Sequence, residues 1–469
     1  MTEVAPPMDP ERRRALGAWY TPPALIDHLL DEVLAGGPPP RRVLDPACGD
    51  GRFLAAVAQR LGPGVELVGV DIDPDALALA RANLGPSAEL HLADGLAAEI
   101  DGPIDLVVGN PPFLSQLARA TSRGGTSRIG GGPYTDTAAL FLQRAVELVR
   151  ADGGRVGLVL PQSVLAARDA GPVRAEVLRH AALRSLWVAG AKLFPEAQVL
   201  TVIATFERGA RTAAVRRSRG RTFERVADAP AVDLAGRPSW SHLMAEAFGV
   251  PVLPALVGPV LGTIATCTAD FRDEYYGLVG HVRDDADGPP LVTSGLIEIG
   301  RHAWGERAVT FAKQRHAAPR VALGELEPWL RSWADQRLVP KVLLAMQTRV
   351  LEACADPEGA LLPGVPVVSV VPHDTGEAWL VTAALCSPVA SAWAAARALG
   401  AGRSAKAIKL SAKQVAELPL PTDRGVWQHA TEALRAGRLD TFGELMMSAH
   451  ELDDPAVLAW WTAERRPRP

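Results

Sequence analysis

The chain has little of what marks secreted, disulfide-stapled or metal-built proteins. Only four of its 469 residues are cysteine (Cys48, Cys267, Cys354 and Cys386), far apart and with no C-x-x-C pair, which argues against a disulfide framework or a zinc module. No basic start followed by an apolar run opens the sequence, so no signal peptide is expected and the compartment reads as cytoplasmic and reducing. The one uncharged stretch of membrane length, Ala378 to Ala396, is rich in alanine and contains Thr382, Ser387, Pro388 and Ser391. A strand, a break at Ser387-Pro388 and a helix are expected there, and no membrane span. An excess of positive charge is also missing. The net charge of −4 gives no hint of a polyanionic partner.

What is present is ordinary for a globular protein, with 48% hydrophobic and 22% charged residues. The length exceeds what one hydrophobic core usually organises, so two domains are expected, 1–225 and 226–469. Lys and Arg number 19 against 24 Asp and Glu up to Glu207, and 30 against 29 after it. Near that junction Arg208, Arg211, Arg216, Arg217, Arg219, Arg221 and Arg225 are opposed only by Glu224. A solvated linker and a phosphate-contacting segment are equally good readings of this run.

The first half alternates short apolar runs with helical patterns. Strands are expected at Arg42–Asp45, Leu67–Ile72, Glu89–Ala93, Ile104–Gly109, Val156–Leu160, Leu186–Ala189 and Val199–Phe206. Helical faces recur in Phe53–Leu61 and Ala138–Val149. This alternation predicts an α/β domain with a doubly wound, mainly parallel sheet. A Gly-, Ser-, Thr- and Arg-rich loop from Ser115 to Asp136, holding Arg119, Arg123 and Arg128, interrupts it.

Asp45-Pro46-Ala47-Cys48-Gly49-Asp50-Gly51 joins the first strand to a helix, with Gly49 and Gly51 free to turn tightly against a ligand. Asp71, 20 residues after Gly51, ends the second strand, where nucleotide-binding folds place a ribose ligand. The pyrophosphate fingerprint G-x-G-x-x-G is incomplete, because position 54 is Leu54. A cofactor with a ribose and an adenine but no phosphates, such as S-adenosyl-L-methionine, therefore fits best. Asp94 in Ala93-Asp94-Gly95 is either the adenine ligand or a turn residue.

The fourth strand ends in Asn110-Pro111-Pro112-Phe113. Pro111 stiffens this turn and holds the Asn110 side chain and its own carbonyl in one geometry. Two such acceptors can take both hydrogens of an exocyclic amine, draw its lone pair out of ring conjugation and aim it at an electrophilic methyl group. That chemistry requires neither a general base nor a metal ion. Phe113 offers a stacking face for the planar group, which must leave a duplex stack to reach it.

In this motif order the first half resembles the gamma-class, TaqI-like DNA adenine N6-methyltransferases of the N-6 DNA methylase family. The resemblance runs from Leu16 to about Glu207 and implies a seven-stranded, Rossmann-like class I S-adenosylmethionine-dependent methyltransferase domain. It places cofactor contacts at Tyr20, Thr21, Asp45, Ala47, Cys48, Gly49, Gly51, Asp71, Ile72, Asp94, Gly95 and Asn110. The family's catalytic motif is commonly N-P-P-Y, so Phe113 keeps stacking but lacks one hydroxyl. Phe194, in Leu193-Phe194-Pro195, is similar to the later aromatic that stacks on the flipped adenine.

After the catalytic domain, Leu291–Gly295, Pro340–Val342, Leu385–Pro388 and Ile408–Ser411 resemble a TaqI-type specificity domain, a mixed α+β target-recognition domain. Lys341, Arg403, Lys406 and Lys409 are its candidate DNA contacts. The implied partners are double-stranded DNA and a cognate restriction endonuclease or other defence-system protein. The alternatives are an N-P-P-F methyltransferase acting on RNA or a protein glutamine amide, and a catalytically inactive DNA-specificity subunit.

Overall fold

A computed structural model describes residues 21–113, 135–190, 200–211, 214–229, 234, 237, 239–270, 272–399 and 406–465. The chain divides between Ala247 and Phe248 into two compact units.

In the first unit, α1 (Pro23–Leu34) buries Leu25, Ile26, Leu29, Leu30 and Val33 along one stripe. Strand β1 (Arg42–Asp45) leads into α2 (Arg52–Leu61), which buries Phe53, Leu54 and Val57. Next come β2 (Glu66–Asp71), α3 (Pro74–Leu84), β3 (Glu89–Leu92) and β4 (Leu106–Gly109). Helix α4 (Thr137–Leu148) is capped by Asp136, which accepts the Ala138 N–H at 3.0 Å. After β5 (Arg155–Pro161) come α5 (Ser163–Ala166), α6 (Gly171–His180), β6 (Ala181–Val188) and β7 (Thr201–Arg208).

The sheet order is β3-β2-β1-β4-β5-β7-β6, continued by β8 (Val215–Arg219) and β9 (Glu224–Ala229). Strands β3, β2, β1, β4 and β5 run parallel, and β7 is antiparallel to both of its neighbours. The chain winds outward from β1 to β3, then crosses back over β1 to begin β4. The point where strand order reverses therefore lies between β1 and β4, and ligands of open α/β sheets bind outside the carboxyl ends of the strands at that point.

All seven expected strands are present, and the sheet has nine rather than seven. The two extra strands contain much of the arginine run, so this stretch is part of the sheet and not a solvated linker. Arg217 is buried and donates to the Ala227 and Leu243 carbonyls and, at 2.7 Å, to Glu246. Arg216 pairs with Glu32, Arg219 with Glu224 and Arg225 with Asp228. Arg208 caps the Glu147 and Val149 carbonyls. A long aliphatic stem lets arginine fill a strand position while its head reaches internal acceptors. The boundary expected between 225 and 226 falls inside β9, and the unit continues through α7 (Ser241–Ala247).

The second unit holds an antiparallel sheet of β10 (Ala265–Ala269), β11 (Lys341–Leu344), β12 (Ala353–Asp356) and β13 (Val368–Pro372), ordered β10-β13-β11-β12. Helices α8 (Ala378–Cys386) and α9 (Pro388–Ala398) are almost wholly buried. The strand expected in the first of these is a helix, as its alanine and leucine content favours. The break does occur at Ser387, whose hydroxyl accepts the Ala390 N–H at 3.0 Å, with Pro388 at the first helical position. No single helix among the described residues is long and apolar enough to cross a membrane. Helices α10 (Arg424–Arg435), α11 (Leu439–Ala449) and α12 (Pro455–Glu464) follow toward the end of the unit.

Lys341 is not placed to touch DNA. It is 0% exposed, and its ammonium donates to Asp356 at 2.5 Å. Asp356 also takes the Ala360 and Leu361 N–H groups, so the pair ties β11 to the turn after β12. Lys406 is ion-paired with Glu464, Lys409 is exposed, and Arg403 lies outside the described residues.

Candidate functional site

The carboxyl ends of β1, β2, β3 and β4 bring most of the expected residues to one edge of the first sheet. After β1 the chain turns through Gly49 (φ +54°) and Gly51 (φ +79°), left-handed conformations that side chains resist. The Cys48 N–H reaches back to the Val70 carbonyl at 2.9 Å, joining this loop to β2. Asp71 at the end of β2 accepts the Gly49 N–H on one oxygen (2.8 Å) and the Asp73 N–H on the other (2.9 Å). Asp71 is thus a brace between two loops, and each oxygen keeps a further lone pair for a hydroxyl. Ile72 beside it is 63% exposed, an apolar face left in solvent at the strand end.

Asp45 is 1% exposed and accepts the Ala47 N–H at 3.1 Å. Burial, with the Asp71 and Asp50 charges adding to it, pushes its carboxyl up to about 8 against the lowering effect of that N–H. Burial also raises the Asp71 carboxyl and the Cys48 thiol. The end of β4 passes close to Asp45 because residue 109 is glycine; a Cβ there would lie 2.5 Å from Asp45 Oδ1. Gly95 is more constrained still, since its Cβ would lie 1.8 Å from the Pro46 carbonyl oxygen. Asp94 is exposed and its carboxylate accepts the Leu96 N–H at 3.0 Å, the turn geometry of its simpler reading.

Asn110 follows Gly109 directly. Its Nδ2 donates to the buried Thr21 hydroxyl at 3.0 Å, which fixes the other end of the amide as the acceptor. Thr21 is held in turn by Arg52, whose Nη1 donates to the Thr21 carbonyl at 3.3 Å while the rest of the guanidinium forks onto Asp50. Sequence reasoning missed Arg52, although its place at the start of the helix after the glycine loop was a usable signal. Pro111 and Phe113 are buried. Tyr20, Phe194, Arg119, Arg123 and Arg128 lie outside the described residues. Among the described residues no group of three or more His, Cys, Asp or Glu side chains is placed to hold a metal ion.

An acceptor locked at a strand end, a buried carboxyl on one side and a braced carboxylate on another can together orient an amine and a polar small molecule in one crevice. Comparison with known proteins agrees with that reading. Residues 9–221 match the family described as N-6 DNA Methylase. Over 405 residues the chain is 28% identical to Type II methyltransferase M.TthHB8I of Thermus thermophilus, spanning 72% of this chain and 91% of that protein. A shorter similarity, 36% over 135 residues, covers 26% of this chain and 52% of a tRNA1(Val) (adenine(37)-N6)-methyltransferase of Yersinia pseudotuberculosis. Among solved structures, the Type IIL restriction-modification enzyme MmeI in complex with DNA shares the fold, with a TM-score of 0.57 over 97% of this chain and 77% of that one, at 14% identity.

Proposed function

With residues 9–221 assigned to the N-6 DNA methylase family, we propose that this protein transfers a methyl group from S-adenosyl-L-methionine to the N6 amine of an adenine flipped out of double-stranded DNA. The observation that carries this is the Asn110 amide, oriented by Thr21 at the reversal point between β1 and β4.

The chain's own residues fit that cofactor. The spare lone pairs of Asp71 suit ribose hydroxyls, the exposed Ile72 suits an adenine face, and the buried Asp45 carboxyl suits the amino group at the methionine end. When bound, the cofactor supplies an electrophilic methyl group. Asn110 Oδ1 and the Pro111 carbonyl accept the two amine hydrogens, which frees the nitrogen lone pair from ring conjugation. Phe113 stacks on the ring. Thr21 and Arg52 position the amide and do not touch the reacting atoms.

The residues from Phe248 onward carry target recognition in this reading. Support comes from the similarity to M.TthHB8I, which extends over 72% of the chain. A restriction-modification role follows by the same analogy, with an endonuclease of matching specificity as partner. Expressing the protein in a methylation-free host and mapping N6-methyladenine by long-read sequencing tests the proposal. Methylated adenines in one sequence context are expected. Labelled methyl in RNA or in protein glutamine, with none in DNA, would favour the alternative that the shorter similarity to a tRNA methyltransferase raises.

A further inference from the structure

Gln162 follows β5 directly and is 2% exposed, yet neither the nitrogen nor the oxygen of its side-chain amide has a hydrogen-bond partner. Among the described residues, no other buried side-chain amide has both ends unpaired. Its backbone is firmly held: the N–H donates to the Leu200 carbonyl at 2.8 Å, and the carbonyl accepts the Leu165 N–H at 3.0 Å. Burying a primary amide with both ends unpaired is costly, and a fold rarely keeps one without a use.

Its place in the sheet suggests the use. Strands β4 and β5 are parallel neighbours in which Gly109 pairs with Leu158. Asn110 is the first residue after β4, and Gln162 is the first residue after β5. Gln162 therefore stands at the same carboxyl edge as Asn110-Pro111-Pro112-Phe113, one strand further from β1. Thr201, paired in register with Pro161, adds a second buried and unpartnered polar side chain at this end of the sheet.

We propose that the Gln162 amide contacts the ring of the target base, its Nε2 donating to whichever of the ring nitrogens N1 and N7 faces it. This deepens, and rests on, the adenine reading of the site. Adenine carries acceptors at N1 and N7, on either side of the carbon bearing the amine. With both amine hydrogens on Asn110 and Pro111, a donor at one of those nitrogens fixes rotation of the ring in its plane. A carboxamide supplies that donor without adding charge to a buried pocket.

The test uses the full-length protein and duplexes bearing the site that sequencing identifies, with the target adenine left natural or replaced by 1-deazaadenine or 7-deazaadenine. Methylation of the natural duplex by the wild-type protein checks the adenine reading separately. Given that activity, wild-type kcat/KM is expected to fall on the order of tenfold to a hundredfold on one analogue and little on the other. Gln162→Leu should show a similar loss on natural DNA and no further loss on that analogue, with S-adenosylmethionine affinity unchanged by calorimetry. Equal turnover of both analogues and adenine by the wild type overturns the proposal, even if the variant fails to fold. A Leu variant with wild-type kcat/KM and a raised melting temperature also overturns it, and makes Gln162 a hydrated core residue.

Discussion

Two parts of the first unit's sheet concentrate charge, and they handle it in opposite ways. At the carboxyl ends of β1 and β2, the Asp45 and Asp71 carboxyls are buried or braced by backbone N–H groups, with acceptor capacity left over and raised proton affinity. At the β8–β9 edge, Arg216, Arg217, Arg219 and Arg225 are committed to carbonyls and carboxylates of the same unit. Residue type alone would assign the arginines to a polyanion and the aspartates to solvent. Topology reverses this: groups at the strand-order reversal retain capacity for a ligand, whereas groups on the two added strands serve the fold.

The comparison can be broken most severely at Asn110. Asn110→Ala should lower methyl transfer about 10²–10³-fold, as removal of one preorganised dipole does elsewhere, while calorimetry finds cofactor binding intact. Unchanged turnover would show that the carboxyl edge is as structural as the arginine edge. On the other side, Arg217→Ala leaves Glu246 partly buried and unpaired, and should cost about 3 kcal/mol in denaturant unfolding. Its DNA affinity should keep the wild-type salt slope; a slope shallower by about one would make Arg217 a phosphate contact after all.

Asp45 gives a pH signature. Its carboxyl titrates near 8 in the folded chain and near 3.8 when unfolded, so the folded state holds the extra proton between those values. The stability this proton confers is complete at low pH and is lost as pH rises through 8. About 2 kcal/mol should disappear between pH 6 and 8, and Asp45→Asn should flatten that dependence in thermal melts. The smallest effect is expected at Lys409, which is exposed. Lys409→Ala should weaken DNA binding by about 1 kcal/mol and reduce the salt slope by about one, unlike the arginines of β8 and β9.

Much of the first unit was legible because its elements carry local periods. The α2 and α4 faces repeat helically, and the apolar runs of β1 and β4 are bounded by the Gly and Asn-Pro turns that also hold the site. What escaped notice depends on distant partners. Arg217 looks solvated until Leu243 and Glu246 are beside it, and Lys341 looks like a surface charge until Asp356 is. The Ala378–Cys386 run is apolar at every position of its helix but Thr382, so it has no period to separate strand from helix. The Thr21 contact to Asn110 spans 89 residues, and an unpaired buried amide such as that of Gln162 is a property of packing alone.

The glycines at 95 and 109 limit how this sequence can drift. Any side chain at 95 would strike the Pro46 carbonyl, so the loops after β1 and β3 would have to move together to accept one, and any at 109 would push the Asp45 carboxyl out of its place. Both positions therefore favour glycine for steric reasons. An exposed neighbour such as Leu92 carries no such constraint, so the tolerance of this edge to substitution changes sharply from one residue to the next.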